Sequence, residues 1–150
     1  MPTPHLPSPE TAYVDMRTGK PIRAFYDLLR FWYAAVKMSG IGYVVGAGGT
    51  VTQATSKSTG VTLNTPTGQI TMNGAALAAA TVVSFTLTNS AIEAPDVLVL
   101  NHISGGTAGA YTLNAQCAAG SASINVRNAS AGSLSEAVVI AYAVIKGRTT

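Results

Sequence analysis

The chain holds few side chains able to do covalent chemistry, and they are scattered. Its two histidines are His5 and His102, and its carboxylates are Glu10, Asp15, Asp27, Glu93, Asp96 and Glu136. Nucleophilic catalysis needs a nucleophile, a base and a group that orients the base. His5 lies among prolines, so His102, just after a strand-like run, is the one base on regular structure. It reads as a turn residue or an interface contact. Glu93 and Asp96, separated by Ala94 and Pro95, could form half of a glycosidase pair or of a calcium site, but such a pair is more often a solvated turn, which is the reading expected here. No His-Glu-x-x-His motif is present, nor any Cys/His cluster with metal-ligand spacing. Cys117 is the single cysteine, which excludes an internal disulfide and reads as a small buried hydrophobe. The glycines from Gly46 to Gly49 are followed by Thr-Val-Thr-Gln, so no phosphate-binding loop is present. The expectation is a protein without catalytic residues, metal or cofactor.

Composition points away from an enzyme as well. About half the residues are hydrophobic (47%) but only 10% are charged, against roughly a quarter in ordinary soluble domains. Thr, Ser, Asn and Gln must therefore supply the polar surface, and such side chains suit half-buried strands. So few charges defend a lone molecule poorly against its own copies, so sister chains are expected to cover much of the surface. The net charge of +3 forms no basic stripe with interleaved aromatics, which argues against nucleic acid. Arg17, Lys20, Arg23, Arg30 and Lys37 are interspersed with Glu10, Asp15 and Asp27. Residues 1–20 lack the apolar core of a signal peptide, and no apolar run approaches the roughly 20 residues that cross a bilayer. Synthesis in a cytoplasm and delivery by assembly are expected.

Four zones would position these side chains. Residues 1–20 carry Pro2, Pro4, Pro7 and Pro9, which forbid helix and favour an extended arm. Leu6, Tyr13, Val14 and Met16 give the arm something to lay against a partner, and the stretch from Asp15 to Gly19 reads as a turn. Residues 21–38 predict a helix, with Thr18 as its cap, Pro21 in its first turn, and Gly40 and Gly42 ending it. Ile22, Phe25, Leu29, Trp32 and Val36 step by the spacing of a coiled-coil seam. Tyr26, Leu28, Phe31 and Tyr33 widen the apolar surface, so the helix is expected to be buried on most sides, either on its own β-domain or in a partner. The anchor interface is expected to use Tyr13, Ile22, Phe25, Leu29, Phe31, Trp32 and Val36. Residues 39–50 read as a glycine-rich hinge.

From Val51 onward the pattern alternates with period two. Short runs end at Asn64, Asn73, Asn89, Asn101, Asn114 and Asn128, and asparagine closes a strand because it tolerates left-handed φ and bonds its own backbone. With Val51–Thr55 and Ala137–Lys146, about eight short antiparallel strands result, enough for a jelly-roll-like β-sandwich or small barrel over residues 51–150. The runs Val97–Leu100 and Ala137–Ile145 are apolar on both faces, where a two-layer sheet needs only one. The helix, loops or a neighbouring subunit must cover the second face, with Val97, Val99, Val139, Ala141, Ala143 and Ile145 at a subunit interface. Ser133 to Glu136 has the form of a helix capping box, but the β-branched residues after it favour strand. Ala75 to Ala80 reads as a loop or a helical turn.

These segments carry a resemblance. The stretch GTVTQATSKSTGVTLNTPTGQITMNGAALAAATVVSFTLTN, from Gly49 to Asn89, resembles a β-domain of tailed-bacteriophage and prophage structural proteins. So does the close NASAGSLSEAVVIAYAVIKG, from Asn128 to Gly147. The pattern of Asp15, Arg17, Thr18, Gly19, Lys20, Pro21, Ile22, Arg23, Phe25, Tyr26 and Asp27 is similar to the opening of phage fibre and virion-attachment proteins. The resemblance implies a virion component, a homotrimer without catalytic residues, whose partners are its own copies and capsid or tail proteins. The chain lacks a long shaft, which favours a short fibre, spike, head fibre or capsid decoration. The alternative is a module that adsorbs to a host surface glycan through exposed aromatics, for which Tyr43 and Tyr111 are the candidates.

Overall fold

The structure, a computed structural model, describes residues 14–15, 17–20, 23–39 and 42–148, without the side chains of residue 24 and residues 33–39. Tyr13, Ile22 and the proline-rich arm lie outside the described residues. The chain divides between Gly42 and Tyr43 into two units.

In the first unit the turn after Val14 forms as its residues dictate. The Asp15 carboxylate accepts the Arg17 N–H at 2.8 Å, and the Asp15 carbonyl accepts the Gly19 N–H at 2.7 Å. Gly19 sits at φ 65°, a conformation that glycine adopts without penalty. Thr18 belongs to this turn, bonding back to Asp15, and so is not the helix cap. Helix α1 spans Arg23–Ser39. Arg23 pairs with Asp27 one turn on, and the Arg30 guanidinium lies 5.9 Å from the Tyr26 ring centre.

The second unit is built of eight strands: β1 Gly48–Thr52, β2 Val61–Thr62, β3 Thr67–Thr71, β4 Val82–Thr88, β5 Val97–Ser104, β6 Tyr111–Ala118, β7 Ser121–Asn128 and β8 Val139–Ile145. Gly48 to Thr50, read as hinge, are therefore strand. Two four-stranded sheets form, in the orders β1-β3-β8-β5 and β2-β4-β7-β6. Both are mixed: β1 pairs with β3, and β2 with β4, in parallel. This corrects the expectation of purely antiparallel strands. The chain crosses between sheets after every strand except β6, so early in-sheet neighbours stand two places apart in sequence. If each crossing reverses direction, strands two apart run parallel. The β6–β7 hairpin, turned at Gly120 with φ 74°, stays in its sheet and shifts that phase. The remaining pairings, β3–β8, β5–β8, β4–β7 and β6–β7, are antiparallel.

One apolar cluster draws on both sheets. Ile70, Leu98, Ile140, Tyr142 and Val144 come from the first sheet, and Phe85, Leu87, Ala122, Ile124 and Val126 from the second. Each fully buried side chain of this size stabilises by about 1.5–3 kcal/mol. Gly68 is required by this packing, because a Cβ there would lie 2.7 Å from Leu63 Cδ2 and 2.9 Å from the Gly49 carbonyl.

The strand-ending asparagines work through their side chains. Asn73, Asn89 and Asn128 each accept the backbone N–H two residues on, at 2.9 Å, which is the asparagine turn. Asn64 instead accepts the Ser90 N–H at 2.9 Å across a loop. None of them has positive φ; among described non-glycine residues only Ala80 does. Asn101 and Asn114 close nothing, since β5 and β6 run on to Ser104 and Ala118. The segment from Ser133 to Glu136 is not helical: Leu134 bridges to Leu77, and the Glu136 side chain is engaged elsewhere.

Candidate functional site

The carboxylates of the β unit serve as fasteners. Asp96, whose side chain is fully shielded, accepts Lys146 Nζ at 2.7 Å, the Glu93 N–H at 2.8 Å and the Gly147 N–H at 3.0 Å. Glu93 flanks Lys146 at 3.3 Å and Arg148 at 3.6 Å. Glu93 and Asp96 are thus engaged by cations and an amide of the segment just after β8, with Asp96 also accepting the Glu93 N–H. The Lys146 hydrogen bond, with those amides, holds the Asp96 carboxyl below its ordinary 3.8. A depressed folded-state value adds stability that is complete above the ordinary carboxylate range and lost as pH falls through the folded value. Asp96→Asn is therefore expected to lower the urea midpoint at neutral pH. Mutant and parent midpoints should converge in acid below the carboxylate range.

Glu136 is similarly committed. It accepts the Thr107 N–H at 2.9 Å, the Thr107 hydroxyl at 2.7 Å and the Tyr111 hydroxyl at 2.8 Å, and the Thr107 donors chiefly hold its carboxyl below the usual range. Burial, reinforced by Glu136, pushes the Tyr111 phenol up to about 12, out of reach of proton transfer near neutrality. His102 packs edge-on against Tyr111, with ring centres 5.8 Å apart. Its Nε2 lies 2.6 Å from the Gly105 carbonyl and 3.1 Å from the Ser104 carbonyl, so that nitrogen carries a proton and donates. His102 lies within β5, paired with Ile140, so it is a strand residue and not the turn residue expected, its ring held by the two carbonyls. Cys117 faces inward from β6 and packs on the core, and burial raises its thiol. Among the described residues no group of three or more His, Cys, Asp or Glu could hold a metal ion. None of the described helices is long and apolar enough to cross a membrane.

Two polar residues passed over in the sequence lie deep in the fold. Gln53 donates to the Lys57 and Thr59 carbonyls at 3.0 and 2.8 Å and accepts the Asn73 N–H at 3.0 Å. Lys57, 4% exposed, donates to the Asn73 carbonyl at 2.7 Å and to the Glu136 carbonyl; burial lowers its value. Both lie where β1 leaves its sheet, and they knot the crossing loop to β3 and to the approach to β8.

What the structure leaves open is apolar surface. On α1, Trp32 is 69% exposed, and Tyr26, Leu29 and Phe31 are exposed as well, while Phe25 and Leu28 are half-buried. Val36 lies in the helix, its side chain not described. On the first sheet, strand alternation sends Leu98, Ile140, Tyr142 and Val144 inward. It leaves Val97, Val99, Val139, Ala141, Ala143 and Ile145 on the outer face. The register sets Val97 beside Ile145 and Val99 beside Ala143. Val97 and Ile145 are each 57% exposed and Val99 is 46% exposed. No strand of this sheet carries Lys, Arg, Asp or Glu. The second sheet differs. Its outer face bears mostly Ser, Thr, Asn and Gln, with Ser84, Asn125 and Asn114 bonded in one cross-strand row, and with Val82, 57% exposed, beside Arg127 at one end. Of the two aromatics expected at a glycan-binding rim, Tyr111 is 8% exposed and offers no free ring face. Tyr43 is exposed but donates its hydroxyl to the Val144 carbonyl.

No family model, curated protein or solved structure matches the chain.

Proposed function

We propose that this chain is a non-enzymatic, self-associating component of a bacteriophage particle, a homotrimeric short fibre, spike or capsid decoration. The N-terminal arm and helix anchor it to capsid or tail proteins, and a jelly-roll-like sandwich formed by the two sheets projects outward. The protein is made in the bacterial host and reaches the virion by assembly. The observation that carries this reading is the outer face of the first sheet. Both faces of β5 and β8 carry apolar side chains, Val97, Val99 and Ile145 on the outer one are exposed, and no strand of the sheet carries Lys, Arg, Asp or Glu. Isolated exposed hydrophobes are ordinary, but a contiguous patch marks an association surface. The resemblance of residues 49–89 and 128–147 to phage structural β-domains supplies the setting, and the exposed aromatics of α1 supply the anchor.

The anchor is tested in particles. A Phe or Trp side chain buried against a partner stabilises by roughly 1.5–3 kcal/mol, and a trimer repeats each contact three times. Trp32→Ala combined with Phe25→Ala is expected to leave the β unit folded, with an unchanged urea midpoint, while the protein disappears from purified particles. Particles with normal occupancy of the double variant would refute the anchoring role.

A further inference from the structure

The chain contains one chemically labile dipeptide. Asparagine is among the thermolabile side chains, and Asn73–Gly74 is the one place where glycine follows it. The Gly74 nitrogen can attack Cγ of the Asn73 side chain. The N–Cγ bond forms, the Cγ–Nδ2 bond breaks, and ammonia leaves with the Gly74 amide proton. Water then opens the cyclic imide at either carbonyl, giving aspartate or isoaspartate with oxygen in place of NH. A following glycine favours this step, because it lacks a side chain to shield its nitrogen and turns freely. Gly74 keeps that freedom in the fold. It is exposed, a Cβ on it would meet nothing within 4 Å, and among the described residues its N–H has no acceptor.

Resistance must therefore come from Asn73, whose polar groups are all engaged. Both ends of its side-chain amide are held, Oδ1 by the Ala75 N–H at 2.9 Å and Nδ2 by the Ala54 carbonyl at 3.1 Å. On the main chain, the Asn73 N–H donates to Gln53 Oε1 at 3.0 Å, and the Asn73 carbonyl accepts Lys57 Nζ at 2.7 Å. Cyclisation needs the side-chain amide and the Asn73–Gly74 peptide to rotate until the nitrogen meets the face of Cγ. An amide held at both ends and a carbonyl held by an ammonium resist those rotations, the charged bond most strongly. The holders are fixed in turn. Gln53, 2% exposed, donates to the Lys57 and Thr59 carbonyls, and Lys57 donates also to the Glu136 carbonyl. We propose that Asn73–Gly74 is a latent deamidation site, held closed by the crossing loop after β1 through Gln53, Ala54 and Lys57. Conversion waits for that loop to open, and a site reactive only when open is slowed by its open fraction. Conversion is also one-way. A carboxylate at residue 73 has no donor for the Ala54 carbonyl, so a converted chain loses part of the lock.

Peptide mass mapping of the full chain, aged at mildly alkaline pH, tests the lock. In concentrated guanidinium chloride Asn73 is expected to convert ahead of every other asparagine. In native buffer its conversion is expected to be at least about tenfold slower. A comparable or greater rate in the folded chain overturns the proposal, as does another asparagine leading in the denatured one. Gln53→Glu keeps an acceptor for the Asn73 N–H but removes the donors to the Lys57 and Thr59 carbonyls. In the folded variant, Asn73 conversion should approach the denatured rate while Asn89 and Asn128 remain unconverted. A folded variant that ages like the parent places the protection elsewhere and overturns the lock. A second readout needs no substitution. Hydrogen exchange of the Asn73 N–H in the parent should be slowed by about the factor that slows deamidation. A freely exchanging Asn73 N–H beside slow deamidation would show that the loop is not the gate.

Discussion

Asn128→Ala is expected to lower the unfolding free energy by about 3–5 kcal/mol, as several buried polar groups lose partners at about 1–3 kcal/mol each. Asn128 is fully buried at the end of β7. Its Nδ2 donates to the Leu77 carbonyl at 2.9 Å and the Gly132 carbonyl at 2.8 Å. Its Oδ1 accepts the Ser130 N–H at 2.9 Å and the Ser130 hydroxyl at 2.7 Å. One amide thus fastens the crossing from β7 to β8 against the loop that crosses from β3 to β4. Alanine removes all four bonds and admits no water, because the residue has no exposed surface. Asn128→Asp retains the acceptor but loses both donors and buries a charge, so it should destabilise at least as much. Asn114→Ala is the informative contrast. It too ends a strand-like run in the sequence, but it faces solvent in mid-β6 and accepts one bond, from Asn125. Its cost should stay within about 0.5 kcal/mol. Urea denaturation of the three variants at neutral pH decides the ranking.

That contrast also marks how far the sequence could be read. Strand-turn punctuation by asparagine was legible, because the chemistry is local: the side chain bonds a backbone group two residues on. Asn73, Asn89 and Asn128 do so. Which asparagines close strands was not legible, since Asn101 and Asn114 stay in their strands through pairing with β8 and β7, partners distant in sequence. The parallel pairs β1–β3 and β2–β4 were hidden for the same reason. Period-two alternation says which side chains share a face but not which sheet a strand joins. The outer-face residues of β5 and β8 followed from alternation alone and do lie together. Gln53 and Lys57 left no signal, because a Gln or Lys in a Ser/Thr-rich loop looks solvated until the carbonyls of residues 57, 59, 73 and 136 converge on it. Thr18 as a helix cap failed because Asp15, three residues earlier, competes for the same local turn.

The largest effect on assembly is expected from Val99→Asp combined with Ile145→Asp. Both side chains point outward from the first sheet and are exposed within the chain, so neither contributes to the core drawn from Leu98, Tyr142 and Val144. The variant should therefore fold, with a urea midpoint measured at low concentration close to that of the parent. Association is another matter. Each parent side chain is about half exposed, so covering the rest with a sister copy is worth about 0.8–1.5 kcal/mol. Losing two per contact weakens it by about 1.5–3 kcal/mol, a factor of about ten to a hundred. The carboxylates add an unpaired charge on a face with no cation on any of its strands to receive it. Light scattering is expected to show a single chain at concentrations where the parent is oligomeric. The matched control is Thr86→Asp with Gln116→Asp, two exposed positions on the outer face of the second sheet that are already polar; it should leave the oligomer intact. If the control pair dissociates the protein and the Val99, Ile145 pair does not, copies meet through the hydroxyl-and-amide face, and the apolar face belongs to a different partner.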